Sequence, residues 1–133
     1  MQKLRVLVAE DHESVREILV GILRPEFEII AAVSDGENLV NAAILLKPDV
    51  IVSDILMPVR DGLSAMAELQ SRGVQFPFVF ITLLDVGVVS PLPQTISYVH
   101  KSDLTTELIA GIRAVARGEI YLSRSFRGMW GNP

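Results

Sequence analysis

The chain contains no cysteine, which excludes disulfides, thiol nucleophiles and zinc–thiolate centres. Positive charge is not in excess: 12 lysines and arginines against 16 acids leave a formal net charge of −4. The chain as a whole therefore has no electrostatic case for binding nucleic acid. No apolar run of membrane-spanning length occurs, and Met1-Gln2-Lys3-Leu4-Arg5-Val6 runs straight into a strand without a signal pattern. A cytoplasmic protein without membrane contact is the expectation. A phosphate loop of the Gly-x-x-x-x-Gly-Lys type is missing, so nucleotide hydrolysis has no support. There are no internal repeats and no low-complexity segments. What remains is a 133-residue chain, half of it hydrophobic, which is enough for one globular domain with a core.

The stretch Val50-Ile51-Val52-Ser53-Asp54-Ile55-Leu56-Met57-Pro58-Val59-Arg60-Asp61-Gly62 organises the rest. It opens as an apolar β-branched run, the pattern of a strand buried on both faces, and places Asp54 where the run stops. Pro58 and Asp61-Gly62 mark the loop that follows. Ligands of open α/β sheets gather at the carboxyl ends of the strands, which makes Asp54 a site candidate; the plain alternative is an Asp that caps a turn or the next helix.

Other strands are predicted over Leu4 to Ala9, Phe27 to Val33, Phe78 to Ile81 and Ile96 to His100, with the third over Val50 to Ser53. Between them, helical spacing of Val15, Ile18, Leu19, Ile22 and Leu23 predicts a first helix ended by Pro25. A second covers Glu37 to Leu46, and a third covers Leu63 to Ser71 with Gly73 as its C-cap. The last helix should be capped by Asp103 and bury Leu104, Leu108, Ile109, Ile112 and Val115. Strands alternating with helices imply a parallel sheet with helices on both faces. Leu84 to Thr95 carries Pro91 and Pro93 and no helical stripe, so the helix expected there is shortened or missing. The polar residues 123–133 read as a tail or linker after a domain spanning 1–122, with Trp130 docked or ordered only by a neighbour.

Four predicted strand ends carry polar groups: Glu10 and Asp11, Asp54, Thr82, and Lys101. In a parallel sheet these ends share one edge. Clustered carboxylates suit a hard divalent cation, Mg²⁺ above all. A lysine and a hydroxyl opposite them suit phosphoryl oxygens, and Asp54 is then placed as a nucleophile that forms an acyl phosphate. Taken singly, each residue has an ordinary reading: a solvated acid pair at a helix start, a strand threonine, a surface lysine. Their joint placement is what shifts the balance.

At this point the chain resembles a response-regulator receiver domain of two-component signalling. The resemblance rests on Val8-Ala9-Glu10-Asp11-His12, the Asp54-x-x-Met57-Pro58-x-x-Asp61-Gly62 loop, Ile81-Thr82, and Ser97-Tyr98-Val99-His100-Lys101. It implies a flavodoxin-like doubly wound α/β fold with five parallel strands ordered 2-1-3-4-5. It also implies phosphorylation of Asp54 by a sensor histidine kinase. By the same resemblance Mg²⁺ would be held by Glu10, Asp11, Asp54 and the backbone carbonyl of Leu56, Lys101 would bridge to the phosphoryl oxygens, and Thr82 and Tyr98 would switch. Such a domain is not an enzyme beyond its own phosphorylation and dephosphorylation. Ile112 to Ser123 is similar to the junction in regulators with a LuxR-type helix-turn-helix output. Three readings stay open: an excised fragment whose longer form carries a DNA-binding domain, a stand-alone receiver, or a regulator that lost its output; a homodimer through the last helix is expected.

The chain departs from the family's pattern in three places. Leu83 follows Thr82 where the family usually has a small residue, so it is a possible occluding group. The interval from Thr82 to Lys101 is about one helical turn shorter than typical. Ser102 follows the lysine where many receivers have proline. Aliphatic Leu56 and Leu84 flank the site and cannot orient a water, which implies a long-lived phosphorylated form. The competing reading is an atypical receiver acting as a phosphorylation-independent binding or dimerisation module. A haloacid-dehalogenase-type phosphohydrolase is disfavoured because Leu56 stands where it would need a second acid. Arg113, Arg117, Arg124 and Arg127 are read as a solvated face rather than a nucleic-acid surface.

Overall fold

The computed structural model describes residues 2–83 and 96–127. Its frame is a parallel sheet of β1 (Arg5–Ala9), β2 (Glu28–Val33), β3 (Val50–Asp54), β4 (Phe78–Thr82) and β5 (Ser97–His100), in the order β2-β1-β3-β4-β5. The three inner strands are buried almost throughout because both faces are covered, as their unbroken apolar runs require. Five parallel strands in this order are the flavodoxin-like arrangement that the sequence implied.

The helices are α1 (Glu13–Leu23), α2 (Gly36–Leu46), α3 (Gly62–Ser71), α4 (Leu104–Ala116) and the single turn α5 (Arg124–Arg127). They divide the core in two. On one face Val6, Val8, Val52, Val79 and Val99 meet Leu19 and Leu23 of α1 and Leu108, Ile112 and Val115 of α4. On the other, Leu7, Ile51, Phe80 and Tyr98 meet Leu39 and Ala43 of α2, Ala65 and Leu69 of α3, and Phe126 of α5. Local chemistry sets the helix starts: Asp35 accepts from Asn38 N at 2.8 Å and Asp61 from Ser64 N at 2.7 Å. Gly73 (φ 79°) closes α3 in the left-handed conformation that favours glycine.

Several expectations are corrected. Ile18 belongs to the spacing of the first helix but is 55% exposed, because the core side of α1 is carried by Leu19 and Leu23. Asp103 precedes α4 without capping it by its side chain; its carboxylate is bonded elsewhere, to Ser123 and Ser125. Residues 123–127, expected in the tail, are docked on the domain: Ser123 and Phe126 are fully buried. The reason is an open edge on β5, which Tyr121 to Ser123 covers with backbone bonds from Tyr98 N to Tyr121 O and from Ser123 N to Tyr98 O, each 3.0 Å. The shortened or missing helix between the fourth and fifth strands, Leu84 and Trp130 lie outside the described residues.

Candidate phosphoacceptor site

β1 and β3 are neighbours, in register from Val6–Val50 to Ala9–Ser53. Glu10, just beyond the end of β1, and Asp54, the last residue of β3, are therefore brought to one edge. Asp54 closes β3 opposite Ile81 of β4, one residue before Thr82, and Thr82 pairs in register with His100, one residue before Lys101. Sheet geometry thus gathers groups that are separated by as much as 91 positions, Lys101 minus Glu10.

Lys101 is the hub. Its Nζ donates to Asp54 Oδ2 at 2.8 Å and is ion-paired with Glu10 Oε1 at 2.9 Å. All three side chains are nearly buried. Burial pushes the Asp54 carboxyl above its usual range; the hydrogen bond and charge of Lys101 pull it back, and the Glu10 charge adds to the rise. Burial also opposes ionisation of Glu10, but Lys101 and the His12 amide outweigh it and hold Glu10 below its usual value. Lys101 is itself disfavoured as a cation by burial, yet its two carboxylate partners raise it above the ordinary lysine value.

Beside this pair stands a second group. Carboxylate oxygens of Glu10 and Asp11 and a ring nitrogen of His12 lie within 4.8 Å of one another. His12 N donates to Glu10 Oε2 at 3.0 Å, and His12 Nδ1 lies 3.2 Å from that oxygen and 3.4 Å from Asp11 Oδ1. Glu10 Oε1 and Asp11 Oδ1 are buried without a hydrogen-bond partner. The Lys101 ammonium and the His12 ring face these two oxygens in turn, and a hard divalent cation is a group that this oxygen-rich donor set fits.

The loop after β3 folds closely around Asp54. Leu56 N donates to Asp54 Oδ1 at 3.3 Å. Gly62 N donates to Ile55 O at 2.8 Å, and a side chain on Gly62 would strike the Asp54 carbonyl, so only glycine fits. Val59 has φ 69°, a left-handed conformation strained for a β-branched residue, and is 81% exposed. Capping of α3 belongs to Asp61, so Asp54 does not serve as the helix cap that was its alternative reading.

Thr82 is buried at the end of β4, and Leu83 after it is 69% exposed. Tyr98 is fully buried, its ring 6.2 Å from Phe80 and 6.3 Å from Phe126, and burial pushes its hydroxyl up to about 12. Sequence reasoning assigned no role to His12, Ser123 or Phe126. The first was visible as an imidazole adjoining the acid pair. For Phe126 the signal was faint, one aromatic residue in a basic stretch.

The comparisons with known proteins agree with this geometry. Residues 6–89 match the family model described as the response regulator receiver domain. Transcriptional regulatory protein LiaR of Bacillus subtilis is 34% identical over 131 residues, covering 94% of this chain and 62% of that protein. PdtaR of Mycobacterium tuberculosis is 42% identical over 79 residues, covering 59% of this chain and 38% of its own. The chain thus spans about three fifths of LiaR or less of such relatives. A solved LuxR-family two-component response regulator from Aurantimonas shares the fold at TM-score 0.83, with 23% identity, 96% of this chain and 95% of that one. Among the described residues no helix is long and apolar enough to cross a membrane. The family match across most of the chain, on a sheet of the expected order, shows that this protein belongs to the response regulator receiver domain family.

Proposed function

We propose that Asp54 is the phosphoacceptor of this receiver domain and that a sensor histidine kinase is the donor. The observation that carries the reading is the buried Lys101 ammonium, 2.8 Å from Asp54 and 2.9 Å from Glu10 at the end of the sheet. A carboxylate oxygen of Asp54 attacks phosphorus as the phosphorus–nitrogen bond of the donor phosphohistidine breaks. The bonding electrons return to the imidazole, and an acyl phosphate forms on Asp54. Lys101 transfers its hydrogen bond from the carboxylate to the phosphoryl oxygens, and the Thr82 hydroxyl donates to another of them.

Glu10 and Asp11, with Asp54 and the Leu56 carbonyl, would hold Mg²⁺, which when bound offsets phosphoryl charge during transfer. The added charge of about −1.5 to −2 would bias Thr82 and Tyr98 between two arrangements. A complete switch from 1:99 to 99:1 needs about 5.5 kcal/mol of preference. LiaR is named as a transcriptional regulatory protein. By that kinship a longer form of this chain would pass the signal to a DNA-binding output, with the last helix as a dimer surface.

Acetyl phosphate with Mg²⁺ should add one phosphoryl group to the wild type and none to Asp54→Asn, read by intact mass. A wild type that stays unmodified, and that beryllofluoride with Mg²⁺ does not protect from unfolding, would hand the fold over to a phosphorylation-independent binding role with Leu83 crowding the site.

A further inference from the structure

Lys101 is useful only if its ammonium is held over Asp54, and a lysine side chain is too flexible to arrange that by itself. Its backbone must be fixed. Lys101 opens a 3₁₀ turn, Lys101–Asp103, that joins β5 to α4. His100 caps this turn from within, its Nδ1 accepting from Ser102 N at 3.1 Å, and the C-terminal segment supplies further groups that fix it. Ser123 Oγ accepts from His100 N at 2.9 Å and donates to Asp103 Oδ2 at 2.7 Å. One buried hydroxyl thereby staples the residue before Lys101 to the residue that closes its turn. Asp103 also accepts from Ser125 N at 3.2 Å, and α4 starts without the side-chain cap that this aspartate would otherwise supply.

Phe126 backs the staple. Its ring, fully buried, lies 5.6 Å from His100 and 6.3 Å from Tyr98. Further along, Glu107 of α4 accepts from Arg124 N at 2.8 Å and from Arg127 at 2.6 Å, which keeps the segment seated.

We propose that Ser123, supported by Phe126, is a positioning residue for Lys101, so that docking of the C-terminal segment and chemistry at Asp54 are coupled. The inference rests on the proposed acceptor role of Asp54 for its chemical consequence, though not for the mechanical link. Linkage makes the coupling reciprocal: whatever holds the ammonium more firmly over Asp54 also holds the segment more firmly on β5. A longer chain continuing beyond this segment would feel the state of Asp54 through it.

Two measurements on the whole chain test this. With acetyl phosphate and Mg²⁺, Ser123→Ala should slow phosphorylation of Asp54 about tenfold, less than the roughly hundredfold that a 1 Å misplacement can cost. Ser123→Thr, which keeps the hydroxyl, should restore most of the rate. Val40→Ala, which opens a cavity at a buried position of α2 away from the turn, should react like the wild type. Equal rates for Ser123→Ala and wild type, or equal slowing by Val40→Ala, would overturn the proposal. The second measurement needs no phosphorylation: Lys101→Met should speed amide hydrogen exchange at Ser123 and Phe126 several-fold, and unchanged exchange there overturns the link. If the wild type takes no phosphoryl group but exchange is coupled, the acceptor chemistry has failed and the positioning link stands.

Discussion

Lys101 is gripped from two directions by regions that have almost nothing in common. Its ammonium is held by charge, in a nearly buried pocket of carboxylates supplied by the ends of β1 and β3. The residue before it, His100, is held by a hydroxyl and an aromatic ring supplied by residues 123–127. The first region binds strongly only while its charges balance, since a buried charge without a partner costs far more than a balanced pair contributes. The second is neutral where it touches the turn, and because it lies outside the five strands it can come away without unfolding the sheet. A precisely placed cation thus needs one grip that fixes where it points and another that fixes where it starts from.

The most severe way to break the comparison is to remove the cation. Lys101→Met leaves Glu10 and Asp54 buried and facing each other, and should cost about 3 kcal/mol at neutral pH, the range found when one partner of a buried pair is lost. Urea unfolding measures it. Acidification should recover much of the loss as the carboxyls protonate, and a cost below about 1 kcal/mol would mean that solvent already screens the pocket.

Phe126→Ala probes the other grip. A buried phenylalanine in a domain core typically costs about 3–5 kcal/mol on truncation. Here the segment can undock locally instead of taking the whole cavity penalty, so about 2 kcal/mol is expected, with faster tryptic cleavage at Arg124 and Arg127. A full core-sized loss would make the segment part of the cooperative unit and erase the contrast between the two regions.

These two regions also differed in how much of them could be read from sequence. The acid pocket was legible because its residues are conspicuous: Asp54 interrupts an apolar run, and Glu10-Asp11 sits at a strand tip. Knowing that parallel strands end on one edge then suffices to bring them to Lys101. The parallel sheet and its two helical layers followed from the alternation of strands and helices, and the strand order from the family resemblance. The C-terminal grip was illegible because serine and phenylalanine in a polar stretch carry no periodicity, and their docking depends on an unpaired β5 edge that no local pattern announces. Asp103 was misread for a related reason. Aspartate before a helix is normally a cap, and only the tertiary contact with Ser123 draws its carboxylate away. Ile18 shows the complementary limit, an apolar residue at helical spacing that faces solvent.

The subtlest expected effect separates the two carboxylates that share Lys101. Glu10 is held below its ordinary value, so its ionised form stabilises the fold; that contribution is present above the usual glutamate range and is lost as pH falls through the depressed value. Asp54 is raised, so the sign reverses: its contribution is complete below the usual aspartate range and is lost as pH rises through the raised value. Glu10→Gln should therefore destabilise at neutral pH and converge on the wild type in acid. Asp54→Asn should match the wild type in acid and become the more stable protein as pH rises. Urea midpoints between pH 3 and 8 read both curves. If the two variants moved in the same direction, Lys101 would belong equally to both acids. Opposite movements mean that burial outweighs the Lys101 bond at Asp54, leaving it the carboxylate whose charge the fold tolerates least and which has most to gain from a second cation.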